Sequence, residues 1–316
     1  MTENAIAESA RLGRVAVLMG GDSAEREISL LGGNAVLKGL QEAGVDAVGI
    51  DAGPDFLQQL TAHKADRVFI MLHGRKGEDG KVQAALELTG IPYTGSGVLA
   101  CALAMDKIRC KKVWLADGLS TPAFVELDAD SDWHEVIARL GTAFVKPVRE
   151  GSSIGISRAA TAQEMKQAYE KAKQFDSLVI AEQWIEGREF TVTILGDQVL
   201  PVIELQTGNE FYDFEAKYES HETRYLCPPE MSAEKTAELE TMALCAYRTI
   251  GCSGWGRVDV MQDKNGKFWL LEVNTIPGMT EHSLVPMAAR AHGLSFISLL
   301  TRILESSFVD RRENGN

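Results

Sequence analysis

The sequence has few cysteines and no long hydrophobic run, and these two shortages argue against several classes of protein. The five cysteines are odd in number and scattered, without a C-x-x-C pair, so a disulfide framework and a structural zinc site are disfavoured. No apolar stretch approaches the roughly 20 residues of a membrane-spanning helix. The opening MTENAIAESARLGR is polar and lacks the apolar core of a signal peptide. We therefore predict a cytoplasmic protein with buried free thiols and no membrane partner.

Positive charge is also scarce in this chain. There are 32 Lys and Arg residues against 45 Asp and Glu, which gives a net charge of −13. A field of that sign repels polyphosphates at long range, so nucleic-acid binding is disfavoured and any anionic substrate needs a local cluster of cations. With 45% hydrophobic and 24% charged residues, the 316-residue chain has the composition of a globular protein of two or three domains.

Several familiar motifs of phosphate and metal chemistry are missing. No G-x-x-x-x-G-K segment followed by Ser or Thr is present, which excludes a P-loop, and no G-x-G-x-x-G opens the first predicted helix. The H-E-x-x-H and protein-kinase signatures are absent as well. Any nucleotide chemistry must therefore depend on other residues.

The first hundred residues alternate buried strands with helices. Short apolar runs rich in β-branched residues predict the strands, and segments of helical period follow them. In chain order the predicted elements are a strand at 14–19, a helix at 28–40, a strand at 45–50, a helix at 54–63, a strand at 67–72 and a helix at 80–89. This order predicts a small parallel α/β unit that ends near Asp106, with ligands beyond the carboxyl ends of its strands.

After Lys107 the order changes to that of an α+β protein. We predict first a helix, a strand at 143–147, a helix at 161–175 and an edge strand at 178–184, and then strands at 190–195 and 199–205, a helix at 232–250 and strands at 255–262 and 267–273. Between these elements the polar segment 207–224 has no apolar period. A loop of that length inside a compact chain is usually functional or mobile.

The strongest local signal is the predicted hairpin at 256–280. Asp259 lies on its first strand, and Glu272 and Asn274 lie two residues apart on the second, so all three side chains can share one face. Three oxygen ligands between apolar residues are typical of a magnesium site completed by substrate phosphates. The alternative is a solvent-facing strand with alternating polar residues.

Two further segments have the chemistry of ligand sites. Lys146 follows an apolar strand, and the Gly/Ser loop 150–157 comes soon after it, so a lysine and backbone amides could hold a polyphosphate together. An ordinary surface turn is the alternative. In the other segment, Glu25 follows a glycine turn at a helix start, where it could pair with an ammonium group or close a capping box with Asp22. His73 lies at the end of a strand, where it could bind a ligand. The alternative is a buried histidine without a functional role.

Seven segments, in this order over residues 19–286, resemble the D-alanine–D-alanine ligases of the ATP-grasp superfamily. They are MGGDSAEREISL, LHGRKGEDG, GSGVLACALAMDK, VKPVREGSSIGIS, FYDFEAKY, GWGRVDVM and LEVNTIPGMTEHSLVP. Lys76 stands where the family commonly has a small residue, and Arg188 before Glu189 is also unusual.

The resemblance implies a three-domain ATP-grasp fold with an N-terminal parallel α/β domain. The implied domains are residues 1–106 with the first D-alanine site, 107–188 as the lid-like central domain, and 189–316 with the metal strands and the second D-alanine site. ATP is expected between the last two domains.

The resemblance also implies a nucleotide and metal site. The residues expected around ATP are Lys107 and Lys146 at the phosphates, Glu182, Trp184 and Glu189 around the adenosine, and Lys217 at the γ-phosphate. Two Mg²⁺ or Mn²⁺ ions are expected on Asp259, Glu272 and Asn274.

The implied reaction joins two D-alanine molecules through an acyl phosphate, for the synthesis of peptidoglycan precursors. The residues expected around the substrates are Glu25 at the first ammonium group with Ser152 and Tyr218 around it, His73 nearby, Arg257 and the Gly278 amide at the oxyanion, and Ser283 and Leu284 at the second D-alanine. A homodimer is expected. The alternatives are a ligase that makes D-alanyl-D-serine or D-alanyl-D-lactate, and a nucleotide-binding regulator without chemistry.

Overall fold

A computed structural model of the chain describes residues 11–151, 154–206 and 223–308, and its first element is a parallel sheet. The strand order is β2-β1-β3, and β1 pairs in parallel with both neighbours. The elements of this region are β1 (Val15–Met19), α1 (Arg26–Glu42), β2 (Ala47–Asp51), α2 (Phe56–Ala62), β3 (Arg67–Ile70), α3 (Lys81–Thr89) and α4 (Val98–Met105). The apolar run of β1 is buried throughout, because helices and strands surround it. The predicted parallel α/β unit is confirmed.

The turn after β1 sets the start of α1. Gly20 and Gly21 both have a φ of +76°, which residues with a Cβ rarely adopt. The Ser29 hydroxyl accepts a hydrogen bond from the Gly20 amide at 2.8 Å and donates one to the Met71 carbonyl at 2.6 Å. These bonds fix the turn, and with it Glu25, against the end of β3.

The second sheet has four antiparallel strands in the order β4-β7-β5-β6. Its region contains α5 (Lys107–Ala116), β4 (Phe124–Leu127), α6 (Trp133–Leu140), β5 (Ala143–Pro147), β6 (Ser157–Ala159), α7 (Ala162–Ala172) and β7 (Val179–Gln183). The prediction of an edge strand at 178–184 is wrong, because β7 lies between β4 and β5. Both partners cover its edges, and neither β4 nor β6 was predicted.

The third sheet is the largest, with the order β11-β10-β8-β12-β13 and β9 paired to β8. Its region contains β8 (Gly187–Leu195), β9 (Gln198–Val199), β10 (Ile203–Gln206), β11 (Arg224–Leu226), α8 (Ala233–Thr249), β12 (Trp255–Asp263), β13 (Phe268–Asn274), α9 (Leu284–Ala291), α10 (Phe296–Glu305) and a 3₁₀ turn at Ser306–Phe308. Arg188 forms an ion pair with Glu204 across β8 and β10, at 2.6 Å.

The buried apolar residues form separate cores. The first joins the N-terminal sheet to α9 and α10, and α1 approaches α10 so closely that a Cβ at Gly39 would lie 2.6 Å from Leu300. A second core lies between the large sheet and α8, and a third lies under the second sheet with α6 and α7. The mixed α/β and α+β class is therefore confirmed, whereas the domain boundaries at 106 and 188 stay predictions.

The five cysteines are all unpaired, as predicted, but their burial differs from the prediction. Cys101, Cys110 and Cys252 are buried, Cys227 is half-buried and Cys245 is exposed. Among the described residues no single helix has the length and apolar character needed to cross a membrane. One pair of consecutive helical segments, Leu284–Ala291 and Phe296–Phe308, is long and apolar enough when both are counted together, but the two segments are bent by 105° relative to each other.

Candidate active site

A cavity of about 580 Å³ lies where loops of the N-terminal sheet face the hairpin of the large sheet. Nine predicted site residues line it: Glu25, His73, Lys107, Arg257, Glu272, Asn274, Gly278, Ser283 and Leu284. The fold therefore brings residues from distant parts of the sequence to one cavity. Their individual roles stay predictions.

Glu25 is held at the cavity wall by the start of α1. It occupies the N-cap position, but its side chain makes no capping hydrogen bond, and the Asp22 carboxylate pairs with Lys76 instead. The capping-box alternative is therefore wrong. Lys76 has a φ of +70°, so it occupies a conformation that favours glycine. The Glu25 carboxylate fits closely against Gly74 and Gly151, where an added Cβ would lie 2.8 and 2.9 Å from its nearer oxygen.

His73 and Glu78 lie behind this carboxylate. His73 is 6% exposed, and its Nε2 has no hydrogen-bond partner among the described residues. Burial lowers the pKa of His73, although the charge of Glu25 acts in the opposite direction. Burial raises the pKa of Glu78 to about 8, and the charge of Glu25 adds to this effect, while the Gly74 amide donates a hydrogen bond to Glu78 at 2.6 Å. Sequence reasoning missed Glu78, which in LHGRKGEDG resembles an ordinary loop residue.

The β12–β13 hairpin has the predicted geometry. Asp259 lies directly opposite Glu272, and Asn274 lies opposite Arg257. The Arg257 guanidinium donates two hydrogen bonds to Asp259, at 2.8 and 2.7 Å, and the Thr191 hydroxyl donates a third at 2.7 Å. Asp259 is thus oriented by fixed donors, and Arg257 presents its charge to the cavity beside it.

The donor set of this hairpin suits a hard divalent cation. Among the described residues no group of three His, Cys, Asp or Glu side chains is gathered for a metal, but the facing carboxylates of Asp259 and Glu272 and the Asn274 amide together supply only oxygen ligands. Oxygen ligands in small number, completed by phosphates and water, are what Mg²⁺ prefers. The Lys107 ammonium group lies 3.4 Å from the Glu272 carboxylate, so this lysine balances part of the negative charge of the hairpin.

Most of the predicted nucleotide residues lie on or next to the second sheet, whereas Lys107 lines the cavity and Glu189 belongs to the large sheet. Lys107 is the first residue of α5 and donates to the Glu150 carbonyl at 2.8 Å. Lys146 on β5 lies 2.9 Å from Glu182 on β7. Trp184 stacks on Phe144 at 4.8 Å between ring centroids, and its backbone amide donates to the Thr142 carbonyl. Glu189 lies further along, on β8.

Lys111 is a second residue that sequence reasoning missed. It is fully buried, and its ammonium group lies 3.2 Å from the Glu182 carboxylate. In the helix segment KIRCKKVW it resembles a surface lysine, and no local signal separates it from Lys112, which is exposed.

The start of α9 also lines the cavity. Ser283 is the N-cap of this helix, yet its hydroxyl bonds to Thr280 and makes no capping hydrogen bond within the described helix. The first amide groups of α9, beginning with Leu284, therefore remain available for an anion such as a carboxylate. Gly278 lies close by, since a Cβ there would be 3.0 Å from the Ser283 hydroxyl.

Three predicted site residues, Ser152, Lys217 and Tyr218, lie outside the described residues, as does most of the segment 207–224, for which the resemblance implies the role of a lid. Their assigned roles stay predictions that rest on the resemblance alone.

Comparison with known proteins gives consistent matches along the chain. The family description "D-ala D-ala ligase N-terminus" matches residues 51–96, and "D-ala D-ala ligase C-terminus" matches residues 113–305. A curated D-alanine–D-alanine ligase from Pseudoalteromonas translucida is 55% identical over 94% of this chain and 98% of its own length. The crystal structure of the ligase of that name from Bacillus anthracis has a TM-score of 0.86 and 35% identity, over 96% of this chain and 100% of its own. Its complex with ATP has a TM-score of 0.84 and 33% identity, over the same shares of the two chains.

Proposed function

Because this chain belongs to the D-alanine–D-alanine ligase family, we propose that it joins two D-alanine molecules into D-alanyl-D-alanine and converts ATP to ADP and phosphate. The dipeptide serves as a precursor of peptidoglycan, and the reaction takes place in the cytoplasm. The observation that supports this function best is the single cavity in which Glu25, Arg257, Glu272 and the start of α9 meet. These groups suit, in order, an ammonium group, a developing oxyanion, a metal-bound phosphate and a carboxylate.

The nucleotide binds along the second sheet, with its phosphates directed toward the hairpin. Lys107 and Lys146 contact the phosphates, and Glu182, Trp184 and Glu189 surround the adenosine. Asp259, Glu272 and Asn274 would hold two Mg²⁺ or Mn²⁺ ions, since their oxygen atoms fit that chemistry. When bound, the ions would neutralise negative charge on the phosphates of ATP.

In the first step, a carboxylate oxygen of the first D-alanine attacks the γ-phosphorus of ATP. The bond between that phosphorus and the β–γ bridging oxygen breaks, ADP leaves with this oxygen, and an acyl phosphate forms. Glu25 holds the ammonium group of this D-alanine, so the carboxylate points toward the phosphates. Lys217 and Arg257 stabilise negative charge on the transferring group.

In the second step, the amine of the second D-alanine attacks the carbonyl carbon of the acyl phosphate. Arg257 and the Gly278 amide stabilise the oxyanion of the tetrahedral intermediate. The bond between carbon and the phosphate oxygen then breaks, phosphate leaves, and the nitrogen loses a proton as the amide forms. Ser283 and the first amides of α9 around Leu284 orient the second D-alanine through its carboxylate.

The remaining parts of the proposal rest on the resemblance. Ser152 and Tyr218 form hydrogen bonds around Glu25, His73 contributes to the first substrate site, and the segment 207–224 excludes water from the acyl phosphate. The active protein is a homodimer without nucleic-acid or membrane partners.

Phosphate release from ATP in the presence of Mg²⁺ tests the proposed reaction. The assay compares D-alanine alone, L-alanine alone, and D-alanine mixed with D-serine or D-lactate, and mass spectrometry identifies the products. We expect D-alanine alone to give dipeptide with one phosphate for each amide, and L-alanine to give neither product. A mixed product in excess would favour the D-alanyl-D-serine or D-alanyl-D-lactate alternative. ATP binding without any phosphate release would favour the regulator.

A further inference from the structure

A buried lysine that has no assigned role contacts the nucleotide site from behind. Lys111 on α5 is 0% exposed, and its Nζ lies 3.2 Å from Oε1 of Glu182. The same nitrogen donates to the Thr121 hydroxyl at 2.7 Å and reaches the Leu270 carbonyl at 3.4 Å. A cation held inside the protein by an acidic partner and two neutral acceptors is costly to desolvate, so its presence calls for a physical reason.

Glu182 links this buried lysine to the phosphate-binding lysine. Its other carboxylate oxygen, Oε2, lies 2.9 Å from Nζ of Lys146. No described residue forms a well-aligned hydrogen bond with that oxygen. Its contact with Lys146 is therefore an ion pair at close range without a well-aligned hydrogen bond. Glu182 is 3% exposed, and both of its oxygens therefore face lysines inside the protein.

The charges of these three residues decide what the nucleotide meets. The charges of Glu182 and Lys146 alone would sum to zero, because the Glu182 carboxylate would neutralise the Lys146 ammonium group. With Lys111 included, the group has one net positive charge. Burial lowers the pKa of Lys111 to about 8, and the charge of Glu182 opposes that shift, so Lys111 is mostly protonated at neutral pH. The charges of Lys111 and Lys146 outweigh the effect of burial on Glu182 and keep its pKa low.

We propose that Lys111 is a positioning residue for the nucleotide: it neutralises Glu182, so that Lys146 presents its charge to the phosphates of ATP. The inference rests on the proposed ATP-dependent function and assigns a residue to it that needs no contact with the ligand. A chain with net charge −13 repels a polyphosphate at long range. It therefore needs each cation in the cleft to act on the ligand rather than on a nearby carboxylate.

A purely structural role for Lys111 makes a different prediction. The contacts with Thr121 and Leu270 join α5 to β13, so loss of Lys111 could simply loosen the site. In that case ADP and adenosine would lose affinity by the same factor, because both depend on the shape of the site. A role through charge affects ADP alone, because adenosine has no phosphate. The ratio of the adenosine dissociation constant to the ADP dissociation constant separates the two roles.

The experiment measures both dissociation constants by isothermal titration at fixed Mg²⁺ and pH 7, with the full-length chain. The variants are Lys111→Met, Lys111→Arg, Glu182→Gln, and Lys111→Met combined with Glu182→Gln. We expect Lys111→Met to lower the ratio about tenfold, because the net charge of the Lys111–Glu182–Lys146 group falls from +1 to zero. Lys111→Arg should keep the ratio, and the double variant should restore it, because Lys146 is then no longer neutralised.

The double variant is the decisive sample. Recovery of the ratio supports the proposal even if the melting temperature stays low, since a structural defect is not repaired by removing Glu182 as well. An unchanged ratio in Lys111→Met, or a lowered ratio in the double variant, would overturn it. If Lys111→Met does not fold, Lys111→Gln replaces it in both samples, because the amide can still donate to Thr121 and Leu270.

The wild-type protein separates this inference from the proposed function. If it binds ADP and releases phosphate with D-alanine while the ratio is insensitive to Lys111, only the role of Lys111 is overturned. If the wild type binds no ADP, the proposed function itself fails.

Discussion

Burial raises the pKa of Glu78 to about 8, and the negative charge of its neighbour Glu25 contributes to this shift. Two carboxylates at the same wall of a cavity repel each other when both are ionised. Glu78 therefore retains its proton in the folded protein over a range in which the unfolded chain releases it. This difference links the stability of the fold to pH.

We expect Glu78 to make the folded state less stable as pH rises. The folded pKa lies above the value of 4.5 for the free side chain, so the folded protein binds more protons between these values. Stability then falls from about pH 5 to pH 8 and levels off above it. Without ligands or metal, the decrease in melting temperature from pH 5.5 to pH 8.5 should be larger for the wild type than for Glu78→Gln. The exposed Glu135→Gln serves as the control and should follow the wild type; a Glu78→Gln variant that does so too would refute the assignment.

Replacement of Glu25 tests the first substrate site. Since its side chain caps no helix, Glu25→Gln should lose the ion pair with the substrate ammonium while the start of α1 stays in place. We expect KM for D-alanine at the first site to rise at least tenfold, because an ion pair in a partly buried site is worth more than about 1.4 kcal/mol. ADP affinity should stay the same. Glu27→Gln, in the exposed first turn of α1, is the matched control, and a lower melting temperature with normal kinetics would show that Glu25 is structural.

Replacement of Glu272 tests the metal ligands. An amide is a poorer ligand than a carboxylate for a hard cation, so Glu272→Gln should lower kcat about 100-fold or more. Its melting temperature should change little, because the side chain lies at the cavity wall. The exposed Glu126→Gln, on β4, is the control. Equal turnover of Glu272→Gln and the wild type at saturating Mg²⁺ would contradict the assignment.

At the scale of elements, the start of α5 joins a helix cap to Lys107, a residue of the proposed nucleotide site. Asp106 is the N-cap of this helix, and its carboxylate accepts a hydrogen bond from the Arg109 amide at 3.0 Å. Lys107 is the first residue of the helix, so the cap also fixes the position from which its side chain extends. Asp132 caps α6 in the same way, through the amides of His134 and Glu135, but no residue of α6 is among those that line the cavity.

We expect Asp106→Ala and Asp132→Ala to destabilise the fold by a similar amount, roughly 1 kcal/mol each, because each removes one N-cap. Only Asp106→Ala should also raise KM for ATP, since Lys107 loses its fixed position. Thermal melts and ATP titrations of both variants check this. A rise in KM for both, or for neither, would show that the cap of α5 has no specific effect on the site.

Most elements could be predicted because their patterns are local. The β-branched run of β1 and the alternation in β12 and β13 depend on neighbouring residues alone. The position of β7 could not be predicted, because its partner β4 is a four-residue strand with little pattern of its own. The capping box of α7, Thr161 with Glu164, is by contrast a signal that the sequence contains and the structure shows.

The site residues divide in the same manner. The shared face of Asp259, Glu272 and Asn274 could be predicted because residues two apart share a face and the hairpin sets their partners. Glu78 and Lys111 could not, because their burial depends on elements far away in the sequence. A lysine is ordinarily exposed, and only the position of Glu182 on β7 makes Lys111 a buried cation.

At the scale of the whole molecule, the cavity lies where two sheets meet. The first core includes residues of β1–β3 and of α9 and α10, so the N-terminal sheet and the C-terminal helices form one support for the Glu25 and Ser283 ends of the cavity. Lys107 pairs with Glu272 at the cavity wall, and Lys111 and Lys146 both pair with Glu182 on the second sheet. The excess of acidic residues elsewhere is consistent with the expectation that an anionic substrate needs a local cluster of cations.

The central claim is that the chain activates a carboxylate as an acyl phosphate before it forms the amide. The most direct measurement uses D-alanine labelled with ¹⁸O in both carboxylate oxygens, with unlabelled ATP and water, and mass analysis of the phosphate released. Because the carboxylate oxygen that attacks the γ-phosphorus leaves with the phosphate, we predict one ¹⁸O atom in each phosphate formed alongside dipeptide. Unlabelled phosphate released in step with the dipeptide would contradict the account.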